Sequence, residues 1–127
     1  MELNSIKTDT TKEVEGVWVQ IVDDFECLIA SIDSPKYKRA ITLSNKNIRL
    51  KGRVDEEEIE KENINTIPGN ILLDWKGLTE GGKEVKFSVD KAKKILKEHP
   101  RIAARILAEA SDLGNYHMAV EEEQRGN

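Results

Sequence analysis

The residues of this chain that could perform chemistry are few and lie far apart. Its two histidines, His99 and His117, have no second histidine or cysteine at a metal-ligand spacing such as i, i+4. Cys27 is the single cysteine and stands in an alternating apolar segment, where a cysteine is more often a small buried hydrophobe than a nucleophile. The segment Gly81-Gly82-Lys83 lacks the spacing and the following Ser or Thr of a phosphate-binding loop. We therefore expect a non-enzyme with no catalytic residue, no metal and no cofactor.

Charge is distributed unevenly along the chain. Carboxylates are so abundant that no pair of them stands out as an acid–base dyad. A basic stretch runs from Lys36 to Arg53 with no acidic residue before Asp55, and such a stretch could follow a phosphate backbone. The net charge of -4 disfavours nucleic acid as a partner. A solvated face, or a pairing with the acidic block 55–62 of the same or another subunit, is the preferred interpretation.

The length of 127 residues and the composition fit one soluble domain. Hydrophobic residues make up 38% of the chain and charged residues 35%, which suits a small protein with much exposed surface. No apolar run approaches the roughly 20 residues that cross a bilayer, and the first residues lack the apolar core of a secretory signal. We expect an intracellular protein with no membrane partner. Its predicted organisation is a flexible N-terminal arm over 1–14, a single domain over 15–120 and a polar tail over 121–127.

Two hairpins are predicted from residue types. Residues 16–22 and 25–32 are rich in β-branched and aromatic side chains on either side of Asp23-Asp24, which is a hairpin pattern. Residues 78–80 and 84–87 flank Gly81-Gly82-Lys83 and predict a second, smaller hairpin.

Five helices are predicted from capping residues and helical periodicity. Ser34-Pro35 can start the first, which Gly52 would end, with Tyr37, Ala40 and Ile41 on its inner face. A second should run from Asp55 to about Thr66, and a third, short one from Asn70 through Trp75. Ser88 can cap the fourth. The fifth should begin at Pro100, with His99 at its N-cap, and end at Gly114.

These elements together predict an α+β fold with an N-terminal antiparallel hairpin, a second small hairpin and a mainly helical body that ends in a C-terminal helix pair. Because only 5% of the residues are aromatic, Trp18 and Trp75 are expected to be the two large anchors. The residues expected to share one core are Leu72, Trp75, Ile95, Ile102, Ile106 and Leu107.

The order of motifs in the chain resembles one protein family. The run Leu72-Leu73-Asp74-Trp75-Lys76-Gly77-Leu78 leads through the glycine link to Phe87-Ser88 and the helix at Pro100. Upstream, the apolar hairpin is followed by Ser34-Pro35-Lys36-Tyr37-Lys38-Arg39-Ala40. From about Gly16 onward this order is similar to the tail assembly chaperones of long-tailed bacteriophages and prophages. Lys-rich helix surfaces and the polar arm before Thr11 depart from the family pattern.

The resemblance implies a protein of the infected host cytoplasm that is not part of the mature virion. Such chaperones coat the long helical tape measure protein and recruit tail tube subunits. The residues themselves agree in kind with this role, since small side chains on the last helix would let a partner helix approach closely, a helix-in-groove mode of recognition. Those small residues are Ala103, Ala104, Ala108 and Ala110.

Two sets of residues are the expected partner contacts. The first lies beyond the last strong helix without an evident place in the core, and comprises Leu113, Tyr116, Met118 and Val120. The second lies in the basic stretch and would set the register of contacts: Lys36, Lys38 and Arg39. We expect binding to the tape measure and tail tube proteins, and self-association. The alternatives are a C-terminal segment folded back on its own core, a small nucleic-acid-binding phage protein, or a structural tail component.

Overall fold

A computed structural model describes residues 2–117 and has an α+β architecture, as predicted. Its strands are β1 (Val17–Val22), β2 (Phe25–Ile29), β3 (Leu72–Lys76), β4 (Thr79–Glu80) and β5 (Lys83–Glu84). Its helices are α1 (Thr10–Glu15), α2 (Pro35–Leu50), α3 (Glu56–Asn65), α4 (Val89–Glu98) and α5 (Pro100–Ala110), with 3-10 turns at Leu3–Ile6 and Leu113–Tyr116. Within the described range, no helix is both long and apolar enough to cross a membrane.

Both predicted hairpins are present. Strands β1 and β2 pair antiparallel around Asp23-Asp24, and Asp23 adopts a left-handed backbone with φ of 47°. A bulge interrupts the register between Gln20 and Val22. Strands β4 and β5 form a separate two-stranded sheet, in which Glu80 pairs with Lys83 across the Gly81-Gly82 turn.

The predicted helix from Asn70 through Trp75 is wrong, because Asn70 and Ile71 lie in a turn and the residues from Leu72 onward form β3. It pairs antiparallel with β2, with Cys27 opposite Trp75, and gives a sheet of order β1-β2-β3. The apolar spacing of Ile71, Leu72 and Trp75 also fits one turn of helix, but so short a helix is marginal by itself. Pairing with β2 instead satisfies backbone groups of both strands, and the Ala30 N–H donates to the Ile71 carbonyl at 2.8 Å just beyond the ladder.

The segment predicted as an arm over residues 1–14 contains α1, which is bonded to the rest of the chain. Asp9 caps this helix by accepting hydrogen bonds from the Thr11 and Lys12 N–H groups. The Asp9 N–H donates to the Tyr116 carbonyl at 2.7 Å, and the Ser31 N–H donates to the Glu13 carbonyl at 2.9 Å. Polar composition suggested a free arm, but these backbone bonds join α1 to the segment that follows β2 and to the C-terminal segment.

The core lies between the inner face of the three-stranded sheet and helices α4 and α5. Trp75, Leu72 and Ile106 are buried in it as predicted, and Ile95 and Ile102 pack against it while partly exposed. Leu107 lies at its margin and lines cavities beside α5. The other buried residues of this core are Ile21, Phe25, Cys27, Ile29, Ile64, Ile67, Ile71, Ala92, Leu96, Ala103 and Ala110.

Trp18 is not the second core anchor that we expected. It lies opposite Leu28 on the outer face of the sheet and is 43% exposed. The Lys76 ammonium lies 4.3 Å from the centre of its ring, and the same ammonium is 3.8 Å from a Glu26 carboxylate oxygen. A cation over the indole face partly covers the ring while leaving it in contact with solvent.

Candidate interaction groove

Helix α2 forms one wall of an apolar groove. It begins with Ser34 accepting a hydrogen bond from the Tyr37 N–H at 3.4 Å and with Pro35 in its first turn, as the sequence predicts. Tyr37, Ile41 and Ile48 repeat at helical spacing on its inner side, yet all three stay partly exposed and only Ser44 is buried. A 16-residue helix with so little buried surface stands away from the core and leaves space beneath it.

Helix α5 forms the floor of this groove. Pro100, Ala104, Leu107 and Ser111 follow one another at spacings of three or four along its outer side. Ala103 is buried beside them, whereas Ala104 is exposed. Because Ala104 carries only a methyl group, an object lying in the groove can approach the α5 backbone closely.

The space between these helices consists of two adjoining cavities, which we call together the α2–α5 groove. Each has a volume of about 530 to 540 Å³, and both are lined by Tyr37, Ile41 and Leu107. The first is also lined by Ile32, Lys38, Thr42 and Ser111. The second is also lined by Asn45, Glu56, Ile59, Glu60, Asn63, Ile64, Ile67, Pro100, Ala103 and Ala104.

Helix α3 closes the second cavity from the side. Asp55 caps it by accepting a hydrogen bond from the Glu58 N–H at 2.9 Å, and the carboxylates of its first turn suit the positive end of the helix. Ile64 anchors α3 in the core, while Ile59 remains 37% exposed at the cavity wall. Burial raises the pKa of the Tyr37 hydroxyl, and the neighbouring Thr66 side chain offsets part of this shift.

The basic stretch and the acidic block lie on adjacent helices of the same chain. Lys51, just past α2, and Glu62 on α3 form an ion pair of 3.5 Å. Both side chains are partly exposed, so the pair contributes well under about 1 kcal/mol, but it connects the two walls. The sequence left open whether the two charged segments pair within one subunit or between subunits, and this contact is an internal pairing.

The expected basic contacts are separated by the helical geometry of α2. Lys38 lines the first cavity, whereas Lys36 and Arg39 are exposed and line neither cavity of the groove. Residues three apart lie on the same side of a helix, as Lys36 and Arg39 do, whereas Lys38 is two and one positions away from them and points in a different direction. Only Lys38 therefore belongs to the groove.

The expected C-terminal contacts do not form one exposed patch. Tyr116 is 2% exposed, and its hydroxyl donates to the Ile29 carbonyl at 2.9 Å. Burial, with smaller effects of Glu109, Glu13 and Asp112, raises the pKa of this phenol. Tyr116 is thus a core residue, and its assignment to a contact surface is wrong. Leu113 is 50% exposed and lies outside the groove, and Met118 and Val120 lie outside the described residues.

The groups that could perform chemistry lie apart from the groove. Cys27 is fully buried, as predicted, and burial raises the pKa of its thiol to about 12. His99 occupies the N-cap position of α5, but its side chain makes no capping hydrogen bond. Residues 2–117 contain no cluster of three or more His, Cys, Asp or Glu that could hold a metal ion.

Sequence reasoning identified part of this groove. Tyr37 and Ile41 were expected on an inner helix face, and Ala103 and Ala104 were expected to allow close approach. Ile59 was missed, since one isoleucine among seven charged or polar neighbours gives no apolar stripe. The available signal was that Ile59 is the single apolar residue in the first two turns after the Asp55 cap. An isolated apolar side chain on a charged helix indicates where that helix faces an apolar surface.

The fold and the groove define a small α+β protein whose open apolar surface suits protein binding. A family model described as YdaY prophage protein matches residues 32–127, a range that contains every residue lining the groove. The chain belongs to this prophage protein family. No match was found among curated proteins or among solved structures.

Proposed function

We propose that the protein is a non-catalytic tail assembly chaperone that binds helical segments of a tape measure protein in the α2–α5 groove. It would act in the host cytoplasm, recruit tail tube subunits and be absent from the finished virion. Membership of a prophage family and the resemblance in motif order support this role. The observation that carries it is the groove itself, an apolar channel with two helical walls and a floor that includes the small side chain of Ala104.

The lining of the groove suits a helix. Packed helices lie about 8–10 Å apart depending on the side chains between them, and Ala104 and Ser111 place little bulk between a guest and the α5 backbone. Ile41, Ile59 and Leu107 would contact the apolar stripe of the guest. Removing such a stripe from water keeps a long helical protein from aggregating.

The expected affinity is modest, which suits a chaperone that must be displaced. A single helix in a shallow groove buries little area, and part of the gain is lost in ordering both partners. Tube subunits that polymerise along the tape measure protein can therefore replace the chaperone without a source of chemical energy.

Two substitutions on the same helix test this function. Ile41→Glu places a charge in the groove and should abolish co-purification with tape measure fragments. Leu43→Glu is the matched control, because Leu43 is 59% exposed and lies outside the groove. Circular dichroism melts should show both variants folded. Equal recovery of the tape measure fragment by both variants would argue against the groove as its binding site.

The nucleic-acid alternative rests on the exposed basic residues of α2. Lys36, Arg39, Lys46 and Arg49 all contact solvent. If they followed a phosphate backbone, binding to duplex DNA would weaken steeply with added salt and with substitution of these cations. The adjacent acidic α3 opposes such binding, so the chaperone remains our proposal.

A further inference from the structure

We infer that the α2–α5 groove is electrically polarised along its length and selects an amphipathic helix that is basic at one end and acidic at the other. The basic end of the guest would lie over Glu56 and Glu60, and its acidic end beside Lys38. This inference rests on the proposed function and adds to it the charge pattern of the bound helix and its direction.

The charges of the groove are segregated between its two cavities. Among the described residues, Lys38 is the single charged residue that lines the first cavity. Glu56 and Glu60 are the charged residues that line the second, and both are exposed. None of these three side chains forms an ion pair with another residue in the range 2–117. Each is therefore available to a guest.

The length of α5 gives the distance between the two ends of the groove. Pro100 lines the cavity with the two glutamates, and Ser111 lines the cavity with Lys38. At 1.5 Å per residue, the α5 backbone from Pro100 to Ser111 spans about 16 Å, or roughly three helical turns. A guest helix of about four turns can thus contact both ends at once.

The charges of the guest determine its direction in the groove. A guest with lysines in its N-terminal half and glutamates in its C-terminal half brings opposite charges to both ends of the groove when its N-terminus lies over Glu60. That guest runs in the same direction as α5.

The outer faces of α2 and α3 in a second copy each match only one end of the groove. The outer face of α2 carries cations and no carboxylate, so it would suit Glu56 and Glu60 but would place cations beside Lys38. The outer face of α3 is mainly acidic and would place carboxylates against Glu56 and Glu60. Each of these two faces would therefore bring like charges together at one end of the groove, which disfavours it as the occupant. A bipolar helix of another protein is the occupant that matches the groove.

A pair of synthetic peptides tests the inference on the full chain. Both are 18-residue amphipathic helices with the same apolar stripe and composition. The bipolar peptide has lysines in its first half and glutamates in its second, and the control peptide has the same charges interspersed. At low salt the bipolar peptide should bind about fivefold more tightly by fluorescence anisotropy, since each exposed charge pair contributes little. Added salt should remove the difference.

A nitroxide on the N-terminus of the bipolar peptide reports its direction. We expect it to broaden the amide signals of Glu60 and Asn63 much more strongly than that of Ser111. In the charge-swapped variant Lys38→Glu, Glu56→Lys, Glu60→Lys the broadening should move to Ser111. The matched control Lys36→Glu, Glu57→Lys, Glu58→Lys carries the same charge changes outside the groove and should behave as the parent protein.

The possible results separate this inference from the proposed function. Peptides that bind with equal affinity, or equally strong broadening at both ends, would overturn the polarity and leave groove binding intact. Failure of both peptides to bind would overturn the inference, and failure of tape measure fragments to bind as well would overturn the proposed function. A dimer of the protein alone that the charge-swapped variant abolishes would identify a second copy as the occupant, which also overturns it.

Discussion

At the scale of single residues, Trp75 connects three parts of the fold. Its indole N–H donates to the Val85 carbonyl at 2.7 Å, which holds the segment after β5 against β3. Its ring meets Phe87 edge-on at 5.0 Å and Phe25 at 6.2 Å. Strand, hairpin turn and the approach to α4 are therefore packed around one side chain.

The two tryptophans give a matched test of burial. Trp75→Ala should lower the free energy of unfolding by about 3–5 kcal/mol, as large-to-small changes in cores do. Trp18→Ala should cost about 1 kcal/mol or less, because that ring is 43% exposed. Urea denaturation of both variants measures the difference. If Trp75→Ala melts within a degree or two of the parent, the core described above is wrong.

A glycine pair separates a steric clash from backbone strain. Gly77 and Gly82 have φ of 81° and 80°, so alanine is strained at either position. A Cβ on Gly77 would lie 1.9 Å from the Asp24 carbonyl oxygen, whereas a Cβ on Gly82 would meet nothing within 4 Å. Gly82→Ala should cost about 1–2 kcal/mol. Gly77→Ala should cost at least about 2 kcal/mol more, because the hairpin turn must move. Similar costs in chemical denaturation would contradict this close packing.

Alkaline pH should destabilise the protein through Cys27. Burial raises the pKa of its thiol from 9.0 to about 12, so the unfolded chain releases this proton first as the pH rises. The free energy of unfolding is therefore unaffected by this thiol below pH 9. Between pH 9 and 12 it should fall by up to about 1.4 kcal/mol per pH unit. The buried Tyr116 phenol, whose pKa is also raised, adds to this loss above about pH 10. Urea melts at pH 8 and 9.8 measure the effect, and Cys27→Ala should reduce it in this window.

At the scale of elements, the sequence predicted those that local chemistry determines. Ser34, Asp55 and Ser88 each cap the helix that follows, and the cap depends only on residues three positions away. The first hairpin follows equally from Asp23-Asp24 between β-branched runs. In contrast, β3 depends on pairing with β2, far away in the chain, and the attachment of α1 depends on Tyr116 and Ser31; neither periodicity nor composition reveals such partners.

The face on which a side chain lies was harder to predict than the element. The run from Val17 to Val22 is apolar at five of six positions, so its inward face is ambiguous. Gln20 is the one polar residue and shares its face with Trp18, which was the available sign that this tryptophan points outward. The groove was also only partly predictable. The helical spacing of apolar residues in α2 indicates its inner face, but the space beneath that face depends on how α2 packs against the rest of the fold.

At the scale of the whole molecule, the two ends of the described chain support each other. Thr8 forms an isolated bridge with His117, and the Lys12 ammonium donates to the His117 carbonyl at 3.0 Å. The hydrogen bond from the Tyr116 hydroxyl to the Ile29 carbonyl connects these two ends to β2. Of the two interpretations of the C-terminal segment, Tyr116 and His117 therefore fit the one in which it folds back on its own core, whereas Leu113 remains exposed.

Two truncations separate this structural role from a role in self-association. Ending the chain after Gly114 removes buried Tyr116 and should lower the free energy of unfolding by about 3 kcal/mol or more. Ending it after His117 keeps the buried tyrosine and should preserve the melting temperature. We predict that the full chain self-associates weakly and that Met118 and Val120 contribute to the contact. Light scattering should then give a smaller oligomeric mass for the chain that ends after His117 than for the full chain. Thermal melts are the control for folding. An unchanged oligomeric mass would exclude residues 118–127 from the self-association surface and leave exposed Leu113 as the remaining C-terminal candidate.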